Sequence, residues 1–209
     1  ARVFYAVRKG RGGAWEFRKA DTSRALKEFA GAGLPVRIFG IPSFIYEFLD
    51  EMKDPVRLPP GTWLVTGGGW KAAEDKKVSR EFFRELASKM LGIDGENIRD
   101  GYGMAEHCAP YLECREHRFH VPVYNRVYVR DPATLEVLPP GKPGLLELIT
   151  PWNAMMPNLA ILSTDMAMMD AAPCPCGYNS PTFTLLGRGG LVKHKGCAIH
   201  AGEIVRRTS

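Results

Sequence analysis

Apolar and polar positions in the first half of the chain follow two alternating periods. Short β-branched and aromatic runs, typical of strands, are separated by stretches with apolar residues at helical spacing. The predicted strands are residues 2–8, 35–39, 61–66 and 98–102, and the predicted helices start at Asp21-Thr22-Ser23, Ser43 and Ser79. Because strands that alternate with helices favour a parallel sheet, this half is predicted to be α/β.

From Phe119 onward the pattern changes to strands that are separated by turns. Residues 119–130 alternate, and residues 144–150, 159–162 and 182–186 are predicted to be further strands. The strand at 159–162 is predicted to end in Ser163-Thr164-Asp165. The predicted fold class is therefore α/β. A parallel α/β subdomain (residues 1–118) would be followed by an antiparallel, barrel-like β subdomain (residues 119–209) that carries a zinc knuckle and a C-terminal tail.

Composition and charge exclude several classes of protein. Of the 209 residues, 45% are hydrophobic and 24% charged, as in globular proteins. The net charge of +5 comes from scattered Lys and Arg rather than from a basic run interleaved with aromatic residues. Nucleic acid is therefore not predicted as a partner, whereas an anionic small molecule such as a nucleotide is compatible. No apolar stretch approaches the ~20 residues of a membrane span, and no signal-peptide pattern is seen, so a cytoplasmic location is expected.

Two glycine-containing loops follow predicted strands and are candidates for a nucleotide pocket. In the loop at residues 101–106, Tyr102 offers a flat face to a base, and Glu106 offers the oxygen that Mg²⁺ prefers. The other loop contains Gly67, Gly68 and Gly69. Ligands gather at the carboxyl ends of parallel strands, so the two loops could form two walls of one pocket. Neither loop matches a phosphate-loop or dinucleotide fingerprint, and each alone is also compatible with an ordinary turn.

Cysteine and histidine spacing predicts a metal site. Cys174-Pro175-Cys176-Gly177 would make a tight knuckle that points two thiolates at one ion, and Cys114 with His120 would complete a tetrahedral set for Zn²⁺. With four protein ligands and no open position, this zinc would be structural, and it would tie the Tyr102 side of the fold to the Asp165 side. Other readings stay open. His107, Cys108 and His117 are alternative ligands, and the cysteines are also compatible with reduced structural thiols.

Several segments resemble a known family when they are taken together. Residues 102–106, 163–165 and 187–188 occur in the order and approximate spacing of the adenylate-forming enzymes. Residues 67–71, 114–122, 146–165 and 174–177 more narrowly resemble the acyl-protein synthetases of bacterial bioluminescence, the long-chain-fatty-acid–luciferin-component ligases, and also phenylacetate–CoA ligase. The resemblance covers nearly the whole chain from about Pro35.

The resemblance implies roles for individual residues. Tyr102 would stack on adenine, with Gly103 and Met104 beside it in the nucleotide-binding loop. Glu106 would hold Mg²⁺ at the phosphates, and Asp165 would accept hydrogen bonds from the ribose hydroxyls. Two further roles are implied. Arg188 would contact the ribose or a phosphate, and the three glycines at residues 67–69 would let the backbone pass close to the adenine.

The implied activity is activation of a carboxylic acid, expected to be a fatty acid, by ATP and Mg²⁺. The acyl group would pass from the acyl-adenylate to a protein cysteine, and Cys197 is the candidate because the family carries the acyl group near its C-terminus. Positive charge from Lys193, His194, Lys195 and His200 favours its thiolate, although a small buried residue on a strand is the alternative. The acyl group would then go to an acyl-CoA or aldehyde reductase, or to another acceptor protein.

The sequence also departs from the family pattern. Ala105 replaces the usual Thr or Ser, and Gly189-Gly190 stand where acidic residues usually follow the arginine. The phosphate loop of the family would precede this chain, so the chain is expected to be a C-terminal portion that is inactive alone. CoA ligases of this class carry a further C-terminal domain, whereas this sequence ends about twenty residues past Arg188. An acyl-protein synthetase is therefore expected rather than a CoA ligase. The alternatives are an acyl- or aryl-CoA ligase fragment and a zinc-stabilised nucleotide-binding module without chemistry.

Overall fold

Residues 2–70, 73, 76–151 and 158–188 are described by a computed structural model of the chain, Arg188 by its backbone only. These residues fall into two units that divide between Ile98 and Arg99. The division predicted between residues 118 and 119 marks a change of strand pattern along the sequence, and it stays a prediction. In the described residues, no helix is both long enough and apolar enough to cross a membrane.

In its described residues, the first unit combines short strands with three α-helices and a 3-10 helix at Gly95–Asn97. Its elements are β1 (Val7–Lys9), β2 (Trp15–Phe17), α1 (Lys19–Gly31), β3 (Arg37–Gly40), α2 (Pro42–Glu51), β4 (Trp63–Gly67) and α3 (Arg80–Leu91). β1 and β2 form an antiparallel hairpin, whereas β3 and β4 pair in parallel with Arg37 opposite Trp63. The predicted parallel pairing is confirmed for β3 and β4, whereas the predicted strand at residues 2–8 is wrong in extent and pairs antiparallel.

Helix starts in this unit depend on local hydrogen bonds. The Ser79 side chain caps α3 by accepting a bond from the Phe82 N–H at 3.1 Å, as the sequence predicts. The predicted start at Ser43 is wrong, because α2 begins at Pro42, whose ring fixes the first helical φ and which has no N–H to satisfy. α1 likewise begins at Lys19, before the predicted signal. There the Thr22 hydroxyl donates to the Arg18 carbonyl at 2.8 Å and does not cap the helix.

The core of the first unit is apolar. Leu64 of β4 is fully buried, and α2 and α3 contribute Leu49, Ala87 and Leu91. Burial of such side chains is the main favourable term in folding. Gly92 ends α3 in the left-handed region at φ 67°, where glycine carries no steric penalty.

The second unit is antiparallel. β5 (Ile98–Tyr102), which begins on the last residue of the first unit, pairs with β6 (Tyr111–Leu112). The remaining strands are β7 (Phe119–His120), β8 (Arg126–Arg130), β9 (Pro143–Ile149), β10 (Ala160–Met169) and β11 (Thr182–Arg188). They form one sheet in the order β7-β11-β10-β9-β8, with every neighbouring pair antiparallel. The predicted fold class, α/β with an antiparallel β part, is confirmed.

Two strand predictions in this unit need correction. The alternating run at residues 119–130 is broken by a turn in which the Asn125 N–H donates to the Pro122 carbonyl at 2.9 Å. The predicted strand end at residues 163–165 is also wrong, because β10 continues to Met169 and the β9 pairing shifts register between Leu162 and Met166. Asp165 therefore lies inside a strand, at an irregularity of the sheet.

Candidate functional site

The structure brings together two of the predicted nucleotide-binding residues. Tyr102 is the last residue of β5 and Asp165 lies within β10, and the Tyr102 hydroxyl donates to Asp165 Oδ2 at 2.8 Å. The Tyr102 ring meets Phe119 and Phe183 edge-on, with 6.3 Å between centroids in each case. Both predicted residues therefore occupy one place in the fold, at the edge of the aromatic core of the second unit.

Electrostatics and backbone contacts fix the state of this pair. Burial, and then the neighbouring Asp165 carboxylate, raise the pKa of Tyr102 well above its usual range, so its hydroxyl stays protonated at ordinary pH. The Asp165 N–H donates to Ser163 Oγ at 3.1 Å, and that hydroxyl donates to the Leu146 carbonyl at 3.0 Å. The Ser163 side chain thus fills the irregularity between β9 and β10 and holds the backbone of Asp165.

The loop between β5 and β6 carries Glu106 at its tip. The N–H groups of His107 and Cys108 both donate to the Met104 carbonyl at 3.1 Å, which closes the turn. The Glu106 side chain is exposed, while its carbonyl oxygen accepts a bond from Asn158 Nδ2 at 3.3 Å. Met104 packs against the aromatic core of the second unit. Gly103 has room for a side chain, since an added Cβ would meet only ordinary contacts at 3.7 Å or more.

The three glycines at residues 67–69 lie in the first unit. Gly67 ends β4, and Gly68 and Gly69 follow at φ 85° and φ 67°. Both angles lie in the left-handed region that favours glycine, so the sequence needs glycine there for the turn itself. That these glycines share a pocket with Tyr102 stays a prediction.

The four predicted zinc ligands cluster in the second unit. The ligand atoms of Cys114, His120, Cys174 and Cys176 all lie within 4.8 Å of one another. Cys114 Sγ and Cys174 Sγ are 3.5 Å apart, and Cys176 Sγ is 3.3 Å from His120 Nε2. Gly177 follows at φ 88°, which turns the C-P-C segment into the predicted knuckle. Three sulfurs and one imidazole nitrogen are a donor set typical of Zn²⁺ and unsuited to Mg²⁺ or Ca²⁺.

The surroundings of the cluster fit a metal-binding histidine. His120 turns Nε2 toward the thiols, and its Nδ1 lies 2.9 Å from Ser180 Oγ, an orienting contact of the kind found behind metal ligands. Burial, and then the positive charge of Arg118, lower the pKa of His120, so its imidazole is neutral as coordination requires. Burial raises the pKa of Cys174 to about 11, whereas a hydrogen bond from the Tyr178 N–H lowers the pKa of Cys176.

The alternative ligands from the sequence have other partners. His107 Nε2 lies 2.8 Å from the Tyr111 hydroxyl, Cys108 Sγ donates to the Ala105 carbonyl at 2.8 Å, and His117 Nδ1 lies 3.5 Å from Glu113 Oε2. In the described segments, none of the three joins the cluster of four.

Some residues around these sites were not predicted from the sequence. Glu113 is buried immediately before Cys114, and its carboxylate accepts the Asp100 N–H at 2.8 Å. Ser180 orients His120, and Asn125 is buried beside Tyr111. The local sequence marks none of them, because each role depends on a partner on another strand.

Two predicted residues can be placed only in part or not at all. The backbone of Arg188 pairs with Asp165 across β10 and β11, which puts the two predicted ribose-binding positions opposite each other. The Arg188 side chain and all of Cys197 lie outside the described residues.

Comparison with known sequences identifies relatives of this chain. A long-chain-fatty-acid–luciferin-component ligase from Aliivibrio fischeri is 26% identical over 174 residues, which is 81% of this chain and 46% of that protein. Its counterpart from Vibrio harveyi is 31% identical over 119 residues, or 55% and 32% of the two chains. A phenylacetate-coenzyme A ligase from Thermus thermophilus is 32% identical over 102 residues, or 46% and 22%. The chain thus spans less than half the length of these curated relatives.

Solved structures show the same fold at low sequence identity. An open conformation of 2-hydroxyisobutyryl-CoA ligase, in complex with 2-HIB-AMP and CoA, superposes with a TM-score of 0.66 at 20% identity, covering 88% of this chain and 38% of that one. A long-chain-fatty-acid-CoA ligase from Archaeoglobus fulgidus gives 0.57 at 12% identity, with 83% and 37% covered. The fold is therefore that of adenylate-forming enzymes. The profile of the family described as Acyl-protein synthetase, LuxE matches residues 4–205, so the chain belongs to that family.

Proposed function

We propose that the protein of which this chain is part activates a carboxylic acid with ATP and transfers the acyl group to a protein cysteine. A long-chain fatty acid is the class of acid named for two curated relatives. The observation that carries the proposal is the 2.8 Å hydrogen bond between the Tyr102 hydroxyl and Asp165 Oδ2. It supports a single adenosine site, with the Tyr102 ring against adenine and the Asp165 carboxylate on the ribose hydroxyls.

The first step joins the acid to the nucleotide. A carboxylate oxygen of the substrate attacks the α-phosphorus of ATP, and the bond to pyrophosphate breaks, which leaves an acyl-adenylate. Glu106, whose side chain is exposed, would hold Mg²⁺, which would neutralise the charge that develops on the phosphates. Arg188, opposite Asp165 on β11, would supply a fixed positive charge for the ribose or a phosphate. Gly67, Gly68 and Gly69 would pass close to the adenine.

The second step moves the acyl group to sulfur. The Cys197 thiolate attacks the acyl carbonyl, the bond to AMP breaks, and the product is a thioester on the protein. The acyl group would then be delivered to an acceptor protein such as a reductase. Lys193, His194 and Lys195 precede this cysteine in the sequence, and nearby positive charge favours the thiolate form.

A structural role is proposed for Zn²⁺ at Cys114, His120, Cys174 and Cys176. The ligand atoms already lie within 4.8 Å of one another, and four protein donors leave no open position for substrate. Zinc would join the hairpin that follows β6 to the loop between β10 and β11. It would therefore stabilise the sheet that carries Asp165 without taking part in either chemical step.

Labelling of the full-length enzyme tests the acyl-transfer step. With ATP and radiolabelled fatty acid, we expect protein-bound label that hydroxylamine releases. Cys197→Ser should abolish this label while fatty-acid-dependent pyrophosphate exchange continues. Cys108→Ser is the matched control, because in the described residues Cys108 is the exposed cysteine outside the candidate metal cluster. The Cys108→Ser enzyme should still become labelled. Label that remains on Cys197→Ser would remove Cys197 as the acyl carrier.

A CoA ligase is the second candidate function, because a phenylacetate-coenzyme A ligase is among the relatives at 32% identity. Adding CoA to the same assay separates the two functions. Label that appears only on CoA, with none on protein, would favour the CoA ligase and contradict the acyl-protein synthetase.

A further inference from the structure

Three buried polar side chains meet beside the Glu106 turn, and the proposed reaction uses none of them. His107, Tyr111 and Asn125 are exposed by only 1%, 0% and 1%. His107 Nε2 lies 2.8 Å from the Tyr111 hydroxyl, and Asn125 Nδ2 donates to the same oxygen at 3.1 Å. The His107 ring also stacks on the Tyr111 ring, with centroids 5.7 Å apart and 11° between the planes. We name these residues the Tyr111 network.

Stability alone does not explain why these polar side chains are buried together. In the described part of the chain, His107 Nδ1 and Asn125 Oδ1 are buried without a hydrogen-bond partner. A buried polar atom needs a hydrogen-bond partner, whereas apolar side chains of similar shape would fill the same space without that requirement. Buried polar side chains that apolar ones could replace are expected to serve a purpose besides stability.

The position of the network points to that purpose. His107 directly follows Glu106, and its N–H helps to close the turn by donating to the Met104 carbonyl at 3.1 Å. Tyr111 is paired opposite Tyr102 in the β5–β6 hairpin, so its hydroxyl is fixed relative to the strand that carries Tyr102. The His107 side chain therefore attaches the middle of an eight-residue loop to the rigid hairpin below it.

A second contact holds the other side of the same turn. Asn158 Nδ2 donates to the Glu106 carbonyl at 3.3 Å, and Asn158 lies two residues before β10. The backbone of Glu106 is therefore held from the Asp165 side by Asn158 and from the Tyr102 side by His107. Between these contacts the Glu106 carboxylate remains exposed.

We propose that His107 is a positioning residue that sets the Glu106 carboxylate for Mg²⁺ through the Tyr111 hydroxyl. The proposal rests on the proposed function, because it takes Glu106 as the ligand of the ATP-bound cation. Mg²⁺ demands near-ideal octahedral geometry, so a small displacement of one carboxylate weakens its binding. Loss of a residue that orients a metal ligand typically costs 10–100-fold in metal affinity or activity.

The test compares two substitutions at one position in full-length enzyme. His107→Phe keeps a ring that can stack on Tyr111 but loses the bond to its hydroxyl, whereas the amide of His107→Gln can reach that hydroxyl. The readout is the Mg²⁺ concentration for half-maximal fatty-acid-dependent pyrophosphate exchange. We expect it to rise about 10-fold or more for His107→Phe and to stay within about 3-fold of wild type for His107→Gln.

Further measurements separate positioning from folding. Tyr111→Phe removes one oxygen, should reproduce the His107→Phe effect, and keeps the test usable if His107→Phe does not fold. The KM for fatty acid should be unchanged in all three variants. A Mg²⁺ requirement unchanged in both His107→Phe and Tyr111→Phe, or raised equally in His107→Gln, would overturn the proposal.

Glu106→Gln distinguishes this failure from failure of the proposed function. If Glu106→Gln raises the Mg²⁺ requirement while His107→Phe and Tyr111→Phe do not, only the positioning role is wrong. If Glu106→Gln leaves the Mg²⁺ requirement unchanged, the cation assignment itself is wrong, and the positioning proposal falls with it.

Discussion

The two units of this chain bury different kinds of side chain. In the described residues up to Ile98, the buried polar side chains are two threonines, Thr62 and Thr66. Among the described residues from Arg99 onward, the buried polar side chains are chemically more varied: His107, Glu113, Asn125, Thr150 and Thr182, with Cys174 buried as well. The described residues of the first unit are therefore packed mainly through apolar side chains, and those of the second unit contain in addition specific polar partners and the candidate metal cluster.

This difference shows where the fold can support chemistry. Burying a polar group lowers stability unless the group has a hydrogen-bond partner. Buried polar groups that have partners hold the surrounding side chains in defined positions, as a binding site requires. Glu113 is an example. Its carboxylate accepts a hydrogen bond at 2.8 Å from the N–H of Asp100, which lies two residues before Tyr102, and Glu113 itself directly precedes Cys114. Residues 99–188 contain Tyr102, Glu106, Asp165 and the four candidate metal ligands. We accordingly expect perturbations of the two units to have different consequences.

Metal removal should give the largest effect and should be confined to the second unit. Purified protein should contain about one Zn²⁺ per chain. Chelation, or Cys176→Ser, should lower stability by about 4 kcal/mol, the linkage value when free metal is a thousand times Kd. Hydrogen exchange measured by mass spectrometry should show lost protection in β7, β10 and β11 and unchanged protection in α3 and β4. Cys108→Ser should change neither the stability nor the exchange protection. Equal losses of exchange protection in both units would contradict the comparison.

Truncation of a core side chain in the first unit should have the next largest effect on stability. Leu64 is fully buried in β4, so Leu64→Ala should cost about 2–5 kcal/mol through lost burial and a residual cavity. Urea unfolding should give the same loss of stability with and without chelator, because the four candidate metal ligands lie in the other unit. Leu148→Ala is the matched variant in β9, where Leu148 is equally buried. A Leu64→Ala effect that depends on metal would show that the units are not separately stabilised.

Asp165→Ala should affect binding more than stability. Removal of the carboxylate should weaken AMP binding to full-length enzyme by about 1.5–3 kcal/mol, the range for hydrogen bonds to a charged group. Isothermal titration calorimetry measures this change directly. Asp131→Ala is the control, because Asp131 accepts N–H bonds from Ala133 and Thr134 within its own turn. Unchanged AMP affinity in Asp165→Ala would remove Asp165 from the adenosine site.

The smallest expected effect concerns a helix cap in the first unit. Ser79→Ala removes the bond to the Phe82 N–H and should cost about 1 kcal/mol, measured by urea unfolding. Ser43→Ala should cost nothing measurable, since α2 begins at Pro42 without a side-chain cap. A larger loss at Ser43 than at Ser79 would restore the sequence-based assignment of that helix start.

The sequence predicts most of the fold because local signals coincide with the final structure. Ser79 and Gly92 bound α3 as expected, since both cap signals act within a few residues. Asp165 was harder to place, because its strand continues through a register shift that depends on pairing with β9. The helix start at Ser43 failed for a similar reason, since Pro42 offered a competing start one residue earlier.

The candidate metal cluster and the Tyr111 network also differ in how far the sequence predicts them. The grouping of the four candidate metal ligands could be predicted, because C-P-C-G is a local signal that places two thiols side by side. The Tyr111 network could not, because His107 and Asn125 meet only after β6 and the turn before β8 are in place. A sequence pattern reveals ligands that share one loop, but it does not reveal a hydroxyl shared between two loops.

Hydrogen exchange of full-length enzyme, with and without a non-hydrolysable acyl-adenylate analogue, tests most directly whether β5, the turn after it and β10 form the adenosine site of an acid-activating enzyme. We predict that the analogue protects residues 99–110 and 160–169 and that Asp165→Ala removes this protection at the same analogue concentration. Binding of the analogue with unchanged exchange in both segments would contradict the account.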